Sequence, residues 1–196
     1  MKEIVHFLFE AGMLKKTPRT GYQFLGSGKE SVADHCFRTA VIGYVLSTQA
    51  VGADSRKATL MCLFHDLHEA RTGDRNYVNK RYVTVDEERA VEDLTGGIPF
   101  GEEIVSLIDE FNAGESLEAR LSRDADQLDL ILELKEQKDL GNKYADDWLY
   151  YAEKRLTTPT GRDMAREILR TDSADWWFDK RTDLWVDGSD HKKNNE

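Results

Sequence analysis

The sequence predicts an all-α protein folded as a single helical bundle of about seven to eight helices. Several segments carry apolar residues at spacings of three and four, the period of one helix face, and no segment shows the alternating pattern of a half-buried strand. Prolines and most glycines fall between or at the ends of these segments. With 196 residues and 40% hydrophobic content, the chain can bury one core.

The helices are predicted from apolar periodicity and from the residues that begin or end them. Ser31 is a suitable N-cap for the second helix, Asp54 or Ser55 for the third and Thr160 for the last. The predicted helical ranges are 2–12, 32–49, 55–73, 85–94, 102–111, 116–138, 143–155 and 160–178.

The remaining segments are expected to be loops and a tail. The stretch 14–31 is rich in glycine, so it is predicted to be an ordered or mobile loop. Residues 1–185 are expected to form the domain, and the polar residues 186–196 a disordered tail. The aromatic residues near the end are interpreted as packing or a subunit contact: Trp176, Trp177, Phe178 and Trp185.

Composition excludes several classes of protein. A net charge of −10 and a pI near 5.1 argue against binding a nucleic-acid polymer, which needs a positive surface. Cys36 and Cys62 are too few for a disulfide framework and are expected to be reduced and buried. The sequence shows no membrane span or export signal, so a cytoplasmic location is expected.

The stretch 56–75 is the part of the chain that most needs a chemical explanation. Its apolar residues predict a buried helix, yet it carries His65, Asp66 and Glu69, which would share one side of that helix. Ionised carboxylates are rarely buried without a counter-charge, because desolvation costs several kcal/mol or more. A divalent cation would supply that charge.

Other candidate residues lie in separate segments. His35 lies on the helix 32–49, where a hydrogen-bonded core histidine is the alternative to a ligand. Asp74 directly follows Gly73, and it either positions water or substrate or simply forms a turn. The cations of the loop 14–31 either meet an anionic ligand or are solvated: Lys15, Lys16, Arg19 and Lys29.

The helix 116–138 carries three aspartates, Asp124, Asp126 and Asp129. Asp124 borders the main apolar stripe, whereas Asp126 lies on the side of Ala119 and Leu130. Periodicity alone does not decide which of the three is a ligand.

Four stretches in this order resemble the HD superfamily of metal-dependent phosphohydrolases: LKKTPRTG, ESVADHCFRTAV, LFHDLHEARTGD and RDADQLDLIL. They look like the HD-domain 5′-deoxynucleotidase (YfbR-like) family in particular. The resemblance implies an enzyme that hydrolyses (deoxy)nucleoside 5′-monophosphates to nucleoside and phosphate by attack of a metal-bound water. It also implies a homodimer.

The resemblance assigns roles to individual residues of this chain. The catalytic acids of the family match Glu69 and Asp74, and its phosphate-binding arginine matches Arg19. Arg38 and Lys29 are weaker candidates for binding phosphate. The family's metal ligands fall on four residues: His35, His65, Asp66 and Asp126.

Two imidazoles and two carboxylates suit a divalent transition metal such as Mn, Co, Fe, Zn or Ni. Di-metal HD relatives add histidines after the HD pair, whereas this chain has none between His68 and His191. We therefore expect one metal per subunit. The alternatives are an HD hydrolase of another phosphorylated metabolite or nucleotide polyphosphate, and a non-catalytic helical protein with a structural metal. Glu69 and Asp74 disfavour the latter, because a structural metal needs no uncoordinated acids beside it.

Overall fold

The computed structural model describes residues 1–178, and this part of the chain is helical without any β-strand. The all-α prediction is therefore confirmed. Eight helices have nine residues or more, and two have four residues. Their bounds are α1 Lys2–Ala11, α2 Tyr22–Leu25, α3 Val32–Gln49, α4 Ser55–Phe64, α5 Glu69–Thr72, α6 Glu87–Thr95, α7 Gly101–Ala113, α8 Leu117–Asp139, α9 Ala145–Glu153 and α10 Pro159–Arg170.

Helix α8 is at the centre of the bundle and packs against α3, α4, α7, α9 and α10. Its apolar stripe is fully buried at Leu121, Leu128 and Ile131. Helices α3 and α4 approach each other closely at Gly43, where an added Cβ would overlap the sulfur of Cys62. These contacts bring the middle of α3, the end of α4 and the middle of α8 to one place.

Capping residues fix where the central helices begin. Ser31 caps α3 as predicted: its hydroxyl accepts from the Asp34 amide at 3.2 Å, and the Asp34 carboxylate accepts from the Ser31 amide at 3.0 Å. Asp54 caps α4, one of the two residues expected there. The cap of α10 is Thr158 rather than Thr160, because Pro159 fits the first helical turn.

The predicted helix 55–73 is interrupted, which the sequence did not indicate. Helix α4 ends at Phe64, and α5 starts only at Glu69. In the turn between them, the amides of Leu67 and Glu69 each bond to the carbonyl three residues earlier, at 3.0 Å, so the chain tightens. The side chains of His65, Asp66 and Glu69 therefore do not share one side of a regular helix.

The structure also adds detail to the loop 14–31 and shortens the last predicted helix. The loop contains α2, and its ends are joined by an isolated bridge between Pro18 and Ser31, so it is ordered. Helix α10 ends at Arg170 instead of 178, and Trp176 beyond it is 86% exposed, which does not support a packing role for it within this domain. Trp185, His191 and the predicted tail 186–196 lie outside the described residues.

Cys36 and Cys62 are both buried and free, as expected. Within residues 1–178, no helix combines the length and the hydropathy needed to cross a membrane.

Candidate active site

The structure brings together the four residues predicted to bind metal. His35 comes from α3, His65 and Asp66 from the end of α4, and Asp126 from α8. The Nε2 atoms of the two histidines are 3.3 Å apart, and both lie within 3.9 Å of a carboxylate oxygen of Asp66 and of Asp126. Ligand atoms of His35, His65 and Asp126 all lie within 4.8 Å of one another. This arrangement can hold one cation.

Both histidines present the Nε2 atom to this cluster because their other ring nitrogen is engaged. His65 Nδ1 lies 2.8 Å from the carbonyl oxygen of Cys62, and His35 Nδ1 lies 2.6 Å from Asp129 Oδ2. Both oxygens are acceptors, so each Nδ1 carries the proton and donates it. The lone pair of each Nε2 is then available to a metal.

The charges of the cluster favour a cation. Burial lowers the pKa of His35, but hydrogen bonds with Asp126 and Asp129 outweigh it and raise the pKa to about 10. Burial raises the pKa of Asp126, yet the hydrogen bond and charge of His35 bring it down to about 2. The carboxylates thus draw positive charge onto the imidazoles, and a divalent cation can supply that charge in place of protons.

The three aspartates of α8 occupy different surroundings. Asp124 is buried and caps the chain before α10, accepting from the amides and hydroxyls of Thr157 and Thr158 at 2.6–3.1 Å. Its carboxylate is fully used there, away from the histidines. Asp126 alone directs an oxygen to His35 Nε2, at 3.2 Å.

Asp129 has a role that the sequence analysis did not assign. One of its oxygens accepts from His35 Nδ1, and the other accepts from Arg38 Nε at 2.5 Å. Arg38 also contacts Glu133 and Glu136, so three acids neutralise it and it is not directed at a phosphate. The sequence did hold a signal for this pairing. Basic residues lie three apart on α3, at His35 and Arg38, and acidic residues lie four apart on α8, at Asp129 and Glu133.

Arg19 lies beside the cluster, at the base of the loop 14–31, next to the bridge between Pro18 and Ser31. Its Nη1 atom is 3.5 Å from Asp66 Oδ2 and 3.7 Å from Asp74 Oδ1. The loop is held by backbone bonding of Arg19 to Glu30 and by Asp74 Oδ2, which accepts from the amide and hydroxyl of Thr20 at 2.5 and 2.7 Å. Asp74 therefore holds the loop 14–31 in place through its Oδ2 atom, while its Oδ1 atom faces Arg19.

Glu69 is the clearest sign that this site needs a further ligand. Within residues 1–178, Glu69 Oε2 is the one buried side-chain nitrogen or oxygen without a hydrogen-bond partner. Burial, followed by the charges of Asp66 and Asp74, raises the pKa of Glu69 to about 9. A buried carboxyl oxygen without a partner costs about 1–3 kcal/mol, a cost that a bound water, ion or substrate removes.

Several of these residues line a cavity of about 350 Å³. The wall includes Arg19, Asp66, Glu69, Asp74 and Asp126, together with apolar and aromatic side chains of α2, α8 and α9. Lys29 and His68 do not line it; Lys29 is exposed, and His68 Nε2 is 3.8 Å from Glu87 on α6. The volume is of the size that small-molecule ligands occupy.

Comparison with known proteins identifies the family. The family model described as HD domain matches residues 11–167. The 5′-deoxynucleotidase HDDC2 of Bos taurus is 32% identical over 148 residues, which cover 72% of this chain and 71% of the relative. The 5′-deoxynucleotidase hdd1 of Schizosaccharomyces pombe is 26% identical over 88% of this chain and 92% of the relative.

Solved structures share the fold. A conserved hypothetical protein of Pyrococcus furiosus has a TM-score of 0.73 and 29% identity, covering 85% of this chain and 99% of that one. The HD phosphohydrolase DatZ of cyanophage S-2L, solved with dA and one catalytic Zn²⁺ ion, has a TM-score of 0.55 and 20% identity, covering 83% and 96% of the two chains.

These matches confirm the resemblance stated from the sequence and the prediction of a metal-dependent phosphohydrolase. The non-catalytic alternative is not supported, since the curated relatives cited are enzymes by name. The chain belongs to the HD domain family.

Proposed function

We propose that this protein hydrolyses deoxynucleoside 5′-monophosphates to nucleoside and inorganic phosphate, using one divalent transition metal per subunit. The observation that carries the proposal is the meeting of two imidazoles, two aspartates and an arginine beside one cavity. The names of the relatives, and the dA and zinc of the cyanophage structure, support the same substrate class and cofactor.

The proposed ligands are His35, His65, Asp66 and Asp126. A divalent ion bound there would lower the pKa of water and polarise a phosphoryl oxygen. The mixed nitrogen and oxygen donor set suits Mn, Co, Fe, Zn or Ni and does not choose among them.

Arg19 is proposed to bind the phosphate. Its guanidinium offers a planar set of N–H donors that can engage two phosphate oxygens at once. Asp66 and Asp74 hold it at the mouth of the metal site, at distances of 3.5 and 3.7 Å, which are long enough for a phosphate to compete for the donors. The phosphate would then lie between the arginine and the metal ligands.

Glu69 and Asp74 are proposed to handle protons. In the hydrolysis an O–P bond forms from water and the bond from phosphorus to the 5′-oxygen breaks, so water loses a proton and the 5′-oxygen gains one. Burial and the neighbouring aspartates raise the pKa of Glu69, whose Oε2 atom has no partner, and a divalent ion bound beside it would lower that pKa again. The Glu69 carboxylate could then take the proton of the attacking water. Asp74, whose Oδ1 atom lies beside Arg19, is proposed to give a proton to the leaving 5′-oxygen.

A phosphate-release screen tests the proposal. The wild-type protein, loaded in turn with each of the five metals, is assayed on the deoxy- and ribonucleoside 5′-monophosphates, on 3′-monophosphates and on nucleoside triphosphates. We expect release from the 5′-monophosphates, with the deoxy forms preferred, and none after chelation. Release only from triphosphates would instead support a nucleotide polyphosphate as the substrate, and no release from any nucleotide would support another phosphorylated metabolite.

Asp66→Asn and Asp124→Asn form a matched pair for the same screen. The first removes a proposed ligand and is expected to abolish release, whereas the second changes an aspartate outside the cluster and is expected to retain it in folded protein. The homodimer and the cytoplasmic location remain predictions, for which size in solution and cell fractionation are the measurements.

A further inference from the structure

The wall of the cavity also includes Arg155, which is separated from the proposed metal ligand Asp126 by one side chain, that of Gln127. Arg155 follows α9, lines the cavity and is exposed to solvent. Its guanidinium carbon lies 5.3 Å from the centre of the Tyr77 ring, in cation–π geometry. Trp148 and Phe24 line the same cavity.

Arg155 differs from Arg19 and Arg38 in having no acid beside it. Arg19 and Arg38 lie within 4.0 Å of two or more carboxylates each, and these raise the pKa of both. Arg155 forms no ion pair with any of residues 1–178, and burial lowers its pKa. The Arg155 guanidinium therefore has N–H donors that can bind an acceptor atom of a ligand.

One side chain links Arg155 to the metal cluster. Arg155 Nη1 donates to Gln127 Oε1 at 3.2 Å, and Gln127 Nε2 donates to Asp126 Oδ2 at 2.8 Å. The oxygen of Asp126 that faces the histidines is the other one, Oδ1. Gln127 therefore sets the position of the guanidinium relative to the place where the substrate phosphate would bind.

We propose that Arg155 is a specificity-determining residue whose guanidinium, held by Tyr77 and Gln127, binds the acceptor edge of the substrate's nucleobase. The inference rests on the proposed function and extends it to the nucleoside end of the substrate. Arg19 and Arg155 line the same cavity, so a nucleotide whose phosphate is bound by Arg19 would have its base within this cavity, where Arg155 can contact it.

The surroundings of Arg155 favour a base over a second phosphate. Aromatic side chains suit the flat face of a base, which stacks on them. Guanine presents two adjacent acceptors, O6 and N7, that match the fork of an arginine. Arg75 and Lys80 also line the cavity, but neither has a described contact with Arg155 or Gln127, so Arg155 does not belong to a cluster of cations built for a phosphate.

The test compares a substrate with a base and one without it. Arg155→Met removes the charge and the donors, and Arg166→Met is the control because Arg166 is exposed, pairs with Asp163 and lies outside this cavity. Both variants and the wild type are assayed with dGMP and with 2-deoxyribose 5-phosphate, in the metal-loaded form, after thermal unfolding has shown that they are folded.

We expect Arg155→Met to raise KM for dGMP about tenfold or more and to change kcat less than threefold, because one good bidentate pair to a base is worth roughly tenfold in affinity. For 2-deoxyribose 5-phosphate, which has no base, we expect kcat/KM to stay within about twofold of the wild-type value. An equal loss on both substrates would overturn the inference, because Arg155 would then act only through Gln127 and Asp126. A loss on dGDP with dGMP unaffected would also overturn it, in favour of a second phosphate. Wild-type protein that hydrolyses no deoxynucleotide would instead refute the proposed function itself.

Discussion

Replacing Asp129 by asparagine tests whether the site depends on a residue that is not itself a proposed ligand. Asp129 is buried and accepts the Nδ1 proton of His35 at 2.6 Å. An asparagine can turn its NH₂ group toward Nδ1, and the ring proton would then move to Nε2, the atom needed for the metal. A hydrogen bond to a charged group contributes about 1.5–3 kcal/mol, which corresponds to about a 10- to 150-fold weaker metal affinity.

The assay is the dissociation constant for Co²⁺, measured in competition with a coloured chelator, together with phosphate release at saturating metal. Glu136→Gln is the matched control: Glu136 also contacts Arg38, at 3.2 Å, but does not touch His35 and has a half-exposed side chain. We expect the control to bind Co²⁺ like wild type. Wild-type affinity in Asp129→Asn, or an equal loss in the control, would refute the role given to Asp129.

Four further predictions follow from the same contacts. Arg19→Met should lower kcat/KM for hydrolysis of deoxynucleoside 5′-monophosphates by about 100-fold or more, because the charged guanidinium that donates two hydrogen bonds to the phosphate is lost. Glu69→Gln should lower kcat more than tenfold. Asp124→Asn should lower the free energy of unfolding by about 1–3 kcal/mol, measured by urea unfolding, because buried acceptor bonds to Thr157 and Thr158 are lost. Burial is the main cause that raises the pKa of Glu30 from 4.5 to about 7, so between these pH values the folded protein binds more protons than the unfolded chain. The free energy of unfolding of the wild type should therefore fall, relative to that of Glu30→Gln, as the pH rises from about 4.5 to about 7.

Each of these has a contradicting outcome. An Arg19→Met enzyme with unchanged kcat/KM would remove Arg19 from phosphate binding, and a Glu69→Gln rate within about threefold of wild type would remove Glu69 from proton transfer. Asp124→Asn of wild-type stability would show that its hydrogen bonds contribute nothing net. Parallel pH profiles for wild type and Glu30→Gln would mean that Glu30 titrates normally in the folded protein.

The sequence was informative about helices because their signals are local. The apolar stripe of α8 and the Ser31 cap of α3 involve residues within one or two turns, so periodicity and capping rules predict both. The break after Phe64 was missed because the apolar pattern continues through it to Leu67, while the tightening depends on two backbone bonds that leave no mark in composition.

The candidate site was predictable only in part, because its decisive contacts join distant segments. Spacing could not separate Asp124 from Asp126, since both sit on a helix buried on two sides, and the resemblance to a family was needed. The pairings of Asp129 with His35 and of Gln127 with Arg155 span 94 and 28 residues, respectively. Such pairs depend on how α3, α8 and the end of α9 pack, which no local pattern encodes.

The central claim is that one divalent ion, bound by two histidines and two aspartates, is required for hydrolysis of deoxynucleoside 5′-monophosphates. The most direct test is metal content per chain by elemental analysis, measured with phosphate release, for wild type and Asp126→Asn. The account predicts one ion per chain and activity in wild type, and well under one ion and no activity in the variant. Two ions per chain in wild type, or an Asp126→Asn protein with a full ion and the wild-type rate, would contradict it.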